Sequence, residues 1–258
     1  MAKRRRRHPN QVLLFNFGGA LQSRFGARRA NQCEIASQAI GAQTHAELGS
    51  KFAGLIGNGH VRQTLASGHN AAPNAVVFIG SSSIRLWSTL AEDFPGMTVI
   101  NRGFGGSYTT EVLGYMDRIT LPYHPRVVVF HCGGNDVNAG DPAEAPLGRI
   151  REYVKRLRKD NPDTAVVFMA TTRAPSRKAK WEQLDEYNRQ LQQIVKEGKG
   201  LWYVDINPAL NLPDGEPRPD VYLKDNLHPS EAGYAAMLKV IRPAVDAAWQ
   251  ATEAAYKR

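Results

Sequence analysis

Residues 75–87 read A-V-V-F-I-G-S-S-S-I-R-L-W, and how this stretch is read decides the fold of everything after it. An apolar run rich in valine and isoleucine is closed by Gly80 and three serines and resumes as I-R-L-W. That is the pattern of a buried strand turning abruptly into a short helix. Such a turn exposes a serine hydroxyl beside the free backbone N–H groups of a helix start, a setting suited to a nucleophile whose product is an oxyanion. The same serines also suit a structural role, because Ser81 or Ser82 at a helix start is a favoured N-cap. The stretch by itself leaves both roles open.

Downstream, strand and helix patterns alternate. Residues 97–101 (M-T-V-I-N) read as a second strand and 109–119 as a helix, with Val112, Leu113, Met116 and Ile119 on its apolar face. Residues 126–132 (R-V-V-V-F-H-C) have the unbroken β-branched character of a strand buried on both faces. A long helix is expected over 142–160, with Asp141 as its cap and Pro142 near its start. Residues 164–171 form a fourth strand and 178–197 a helix that turns Trp181, Leu184, Leu191, Ile194 and Val195 inward. Residues 201–205 are a fifth strand, 207–220 a Pro-rich loop, and the last helix runs from a Ser230 cap to beyond Trp249. Five strands separated by helices require parallel pairing through right-handed crossovers, hence an α/β three-layer αβα sandwich around a five-stranded parallel sheet. Sites in such sheets form at the carboxyl ends of the strands.

Residues 1–72 have a different texture. Of the net charge of +9, residues 1–70 contribute +8, from ten Lys or Arg against Glu34 and Glu47, so the basic pI belongs to a tail and does not mark the main body as a nucleic-acid binder. The opening M-A-K-R-R-R-R-H-P and the apolar patch V-L-L-F-N-F are a poor export signal, because the patch is short and broken by Asn16, which tilts the reading toward cytoplasm. The remainder has no sustained period and reads as a disordered or loosely structured extension, with 73–258 as the main domain. RNA, DNA or anionic lipid could meet the arginine cluster, but a solvated tail without a partner is the favoured expectation. No apolar run approaches the length of a membrane span. Cys33 and Cys132 are far apart and imply neither a disulfide framework nor a zinc site.

An ester-cleaving site needs a serine, a base, a group to hold the base, and donors for an oxyanion. His228 is the best base, because Asp225 three residues earlier can reach its Nδ1 and leave Nε2 for the serine; the competing reading is a surface histidine near an incidental acid. The glycines at 103–106 allow a backbone N–H to approach a substrate oxygen, or make an ordinary turn. Asn135, after two glycines at a strand end, could aim its amide into the same cleft, or serve as a cap. Cys132 beside His131 is a conceivable alternative nucleophile, but its place in a strand favours a buried small apolar residue.

Together G-S-S-S at 80–83, N-R-G-F-G-G at 101–106, G-G-N-D at 133–136 and D-N-L-H at 225–228 resemble, in order, the four blocks of the SGNH hydrolases, the GDSL-type esterases. The resemblance covers 75 to about 249 and implies a flavodoxin-like sheet. Ser81 stands where the family has aspartate. By position the resemblance implies Ser82 as nucleophile, His228 as proton shuttle and Asp225 as its orienting acid. Ser82 N–H, Gly106 N–H and the Asn135 side chain would form the oxyanion hole. It also implies two-step acyl-enzyme chemistry with no metal and no cofactor. The expected partner is a small-molecule ester, with an acyltransferase using the same site, or a non-catalytic binding module, as alternatives. Arg102, Phe104 and Arg173, with Arg85 and Trp181, are candidate substrate contacts. An arginine there would suit an acidic or acetylated sugar, and the lack of a large apolar lid favours small acyl esters over long-chain lipid.

Overall fold

The computed structural model describes residues 74–257; the expectations for residues 1–72, including the export and tail-binding readings, lie outside them. Five strands form one parallel sheet in the order β2-β1-β3-β4-β5: β1 Val76–Gly80, β2 Val99–Gly103, β3 Val127–His131, β4 Ala165–Met169 and β5 Leu201–Val204. This is the flavodoxin-like order. The three inner strands are buried along their length, as expected where helices cover both faces.

Because side chains alternate across a strand, the apolar runs supply two separate cores. Val77, Ile79, Val128, Phe130, Val166 and Phe168 face one side. There they meet α2 Thr109–Gly114, α3 Met116–Ile119, α5 Glu144–Asp160 and α6 Trp181–Glu197. Val76, Phe78, Val127, Val129, Ala165 and Val167 face the other, under α1 Ser82–Arg85 and α8 Glu231–Ala251. Phe78 packs there against Trp87 and Phe94, at centroid separations of 6.0 and 5.2 Å. At the amino end of the sheet, Arg126 lies 3.8 Å over the Trp249 ring and donates from Nε to Thr252 Oγ1 (2.9 Å), pinning the end of α8 below β3.

Five local expectations change. The helix expected over 109–119 is two, broken at Tyr115. The long helix begins at Glu144, and Asp141 pairs with Arg149 (3.0 Å) instead of capping it. A 3-10 turn, Pro175–Lys180, precedes α6, and the loop over 207–220 contains α7 Asn207–Leu210. After β3 the G-G-N-D block is itself a helix, α4 Gly134–Ala139, which the run of small residues hid. Ser230 does cap α8, its Oγ accepting from Gly233 N–H at 3.2 Å.

Gly80 fixes how the first strand ends. A Cβ there would lie 2.2 Å from the His131 carbonyl oxygen, so only glycine lets β1 and β3 finish side by side while the chain turns into α1. Gly80→Ala is expected to cost about 2 kcal/mol or more, the scale of overpacking a rigid backbone contact. Urea unfolding compared with wild type would measure it, and an unchanged midpoint would contradict the packing described here.

Candidate active site

The site lies at the carboxyl ends of β1 and β3, where the strand order reverses and the two following connections leave on opposite faces. Ser81 is the N-cap of α1 and Ser82 its first residue. Neither role expected for the serines excludes the other: Ser81 caps through its backbone, its carbonyl accepting from Ile84 and Arg85 N–H (both 3.1 Å), and its side chain makes no cap bond. The turn therefore holds without the aspartate that Ser81 replaces. Tyr234 of α8 donates its hydroxyl to the Ser83 carbonyl (2.8 Å), tying the turn to the last long helix.

From the far end of the chain, the loop before α8 brings His228 to Ser82. Nε2 of His228 is 2.7 Å from Ser82 Oγ, and Nδ1 is 2.6 Å from Asp225 Oδ2. Asp225 Oδ1 accepts the backbone N–H groups of Leu227 (2.9 Å) and His228 (3.0 Å), and Asn226 adopts φ +56° to make the loop that tight. Burial would raise the Asp225 pKa. The bonds from the His228 ring and from the two backbone N–H groups outweigh it and hold the carboxyl down to about 2. An ionised Asp225 accepts the Nδ1 proton, which leaves Nε2 able to take one from Ser82.

Ser107 lashes the other loops to this turn. Its Oγ donates to the Gly80 carbonyl (3.2 Å), and its own carbonyl accepts from Asn135 Nδ2 (2.9 Å) and from the Cys132 thiol (3.6 Å). Asn101 holds β2 to α1, donating to the Ile84 carbonyl at 2.7 Å and accepting from Gly103 N–H at 3.0 Å. Gly106 has φ +74° and is exposed. The adjacent Asp136, fully buried, accepts from Thr109 N–H and Oγ1 and from Arg149, so it anchors α2. Burial pushes the Cys132 thiol well up, which removes the thiolate that an alternative nucleophile would need. His131, with burial as the main cause, is held down to about 4 and stays neutral.

Ser82, His131, Asn135, Thr171, Arg177 and Leu227 are among the residues around a cavity of about 20 Å³ beside the serine. Three expected substrate contacts lie elsewhere. Arg102 is buried with its guanidinium 4.7 Å from the Tyr123 ring centroid and bonded to the Tyr123 hydroxyl (2.7 Å); Phe104 is core, edge-on to Tyr115. Arg173 pairs with Asp185 and borders a separate cavity of about 610 Å³ with Tyr203, Asp205 and Asn207, which Ser82 does not reach. Trp181 donates to the Ala174 carbonyl at 3.0 Å. Arg177, which sequence reasoning missed among four basic residues in a short run, borders the small cavity instead. Among the described residues no group of three His, Cys, Asp or Glu side chains is arranged to hold a metal ion, and no helix is long and apolar enough to cross a membrane.

The model of the GDSL-like lipase/acylhydrolase family matches residues 66–236, well over half of the chain. No match is found among curated protein sequences. Among solved structures, a Bacteroides fragilis protein assigned as an acylhydrolase aligns with a TM-score of 0.63 at 22% identity, over 74% of this chain and 95% of its own. A GDSL-like lipase from Bacteroides thetaiotaomicron aligns at 0.62 and 20% identity, over 73% and 96%. A variant of an acetyl-xylooligosaccharide esterase from Geobacillus aligns at 0.55 and 18% identity, over 66% and 93%. At these identities the likeness is one of fold.

The depressed Asp225 pKa has a signed consequence. A carboxyl whose folded pKa lies below its unfolded value stabilises the fold above the unfolded pKa, near 4, and loses that contribution as pH falls through the folded value. The gap in urea midpoint between wild type and Asp225→Asn should therefore be constant from pH 7 to about 5 and narrow as pH falls toward 2. A gap as wide at pH 2.5 as at neutrality, measured by urea titration at about these pH values, would contradict the bonding described for Asp225.

Proposed function

The chain belongs to the GDSL-like lipase/acylhydrolase family and is a carboxylic ester hydrolase, and on that premise we propose that it cleaves small acyl esters, acetyl esters of carbohydrate in particular, through Ser82, His228 and Asp225. The observation that carries this reading is the continuous Ser82–His228–Asp225 hydrogen-bond chain, with contacts of 2.7 and 2.6 Å, closed between residues 146 apart in sequence. In this reading the catalytic unit is residues 73–258.

Ser82 Oγ attacks the ester carbonyl while His228 Nε2 takes its proton, and Asp225 holds the imidazolium that results. Negative charge gathers on the carbonyl oxygen, which lies among Ser82 N–H, Gly106 N–H and Asn135 Nδ2. Collapse breaks the bond to the alcohol, which departs with the proton from His228, while the acyl group stays bonded to Ser82 Oγ. Water, deprotonated by the same histidine, then releases the acid and restores the serine.

Two features support a small acyl group and hydrolysis over transfer. A cavity of about 20 Å³ has room for little more than one water-sized group, which suits the methyl of an acetyl ester. The His228 side chain is 20% exposed and that of Asp225 47%, so water reaches the base directly. The carbohydrate side of the proposal draws support from the fold shared with the acetyl-xylooligosaccharide esterase.

Turnover of p-nitrophenyl acetate and longer esters tests the reading. Ser82→Ala should lose nearly all activity while Ser81→Ala and Ser83→Ala retain it, and Asn135→Ala should lower kcat about 10²- to 10³-fold. Acetate should outpace butyrate and longer chains. Activity of Ser82→Ala equal to wild type would sink the proposal.

A further inference from the structure

Arg177 is a half-buried cation at the small cavity beside Ser82. No carboxylate among the described residues pairs with it, and burial is the main influence on its guanidinium, lowering its pKa. Its position is nevertheless closely built. The backbone bends out of the 3-10 turn at Arg177 (φ −111°, ψ 19°), Arg177 N–H donates to the Ala174 carbonyl (2.9 Å), and the preceding Ser176 N–H donates to the Asn226 carbonyl (3.0 Å). The segment is thus fastened to the loop that carries Asp225 and His228. Room for the guanidinium comes from Gly134, where a Cβ would stand 2.8 Å from Arg177 Nη1. A half-buried charge with no counter-ion gives up hydration and gains no ion pair in return, so its place at a cavity beside a nucleophile calls for a use there.

The use follows from what it touches. Arg177 Nη2 donates to Asn135 Oδ1, while Asn135 Nδ2 donates to the Ser107 carbonyl at 2.9 Å. A guanidinium has only donors and a carbonyl only acceptors, so these two bonds together assign the amide and forbid its flip. They leave the second Nδ2 proton for a ligand. A cation at Oδ1 also draws electron density out of the amide and makes the Nδ2–H groups stronger donors.

We infer that Arg177 is the positioning residue for the oxyanion site, holding Asn135 through Oδ1 and placing an unneutralised positive charge behind the donor that meets the developing oxyanion. The inference rests on the reading of Asn135 as an oxyanion donor. It assigns Arg177 no contact with the reacting atoms. Its influence belongs to the transition state, where the charge appears, and so falls on kcat.

Kinetics with p-nitrophenyl acetate test this with Arg177→Ala, Arg177→Lys, Asn135→Ala and the double variant, each checked for folding by thermal unfolding. Arg177→Ala should lower kcat about 10- to 100-fold with KM within about twofold of wild type. Guanidinium ion at non-denaturing concentration should restore part of the loss in the same preparation, and urea, its neutral analogue of equal size, should not. Arg177→Lys, which keeps the charge, should retain more activity than Arg177→Ala. The double variant should be no slower than Asn135→Ala alone, because Arg177 acts through that amide. An unchanged kcat in Arg177→Ala, an effect confined to KM, equal rescue by urea, or losses that multiply in the double variant would each overturn the inference. If Asn135→Ala loses activity and Arg177→Ala does not, only the role of Arg177 fails. If Asn135→Ala equals wild type, the oxyanion assignment fails and takes this inference with it.

Discussion

A parallel sheet opens a cleft between neighbouring strands only where the chain reverses the direction in which it adds them, and in this order that happens once, between β1 and β3. The cleft is useful only if those two strands end close together. The near-contact of Gly80 with the His131 carbonyl enforces this, and it places the turn carrying Ser82 beside the helix carrying Asn135. Ser107 then ties both to the loop after β2, its Oγ donating to the Gly80 carbonyl and its own carbonyl accepting from Asn135 Nδ2. What remains for the last loop is to deliver an imidazole, and the Ser230 cap and the Tyr234 bond to Ser83 fix where it arrives.

The fold was legible because each inner strand is an unbroken apolar run, and such runs between amphipathic helices leave a single layered solution. The pairing of His228 with Asp225 was legible because their separation of three residues closes a small ring on its own. The positions of Arg102 and Phe104 were not. Both sit next to the glycines of a site loop, where sequence proximity suggests contact, yet β2 is an edge strand whose end turns the arginine onto Tyr123 and the phenylalanine into the core. Arg177 failed in the opposite sense: its neighbours Arg173, Lys178 and Lys180 look alike in sequence, and only the bend at its own φ and ψ separates it from them. The helix of Gly134–Ala139 was missed because glycine and asparagine weigh against helix, and packing against the loops overrides that preference.

The electrostatics of the site divide cleanly between its two halves. On the side of the base, Asp225 is partly exposed, richly bonded and ionised. On the side of the donors, burial holds His131 neutral and keeps the proton on Cys132, and Arg177 has the Asn135 amide oxygen as its partner and no carboxylate among the described residues. In the proposed mechanism proton transfer thus takes place beside water, while the charge on the substrate oxygen meets Asn135 Nδ2 against these buried groups, where a donor counts for more.

The span between Ser82 and His228 also orders events in the life of the molecule. The nucleophile's turn can form once β1, β2 and β3 have been made, but the imidazole arrives only with the segment that leads into Glu231–Ala251, and that helix is held in place at its far end by Arg126. Until Asp225 and His228 have been made, a growing chain therefore carries Ser82 with no imidazole bonded to it. In the proposed mechanism competence to cleave esters then arrives in one step, with the segment from Asp225 to His228 and the helix that seats it, and a chain stopped before Asp225 is left inert instead of half active.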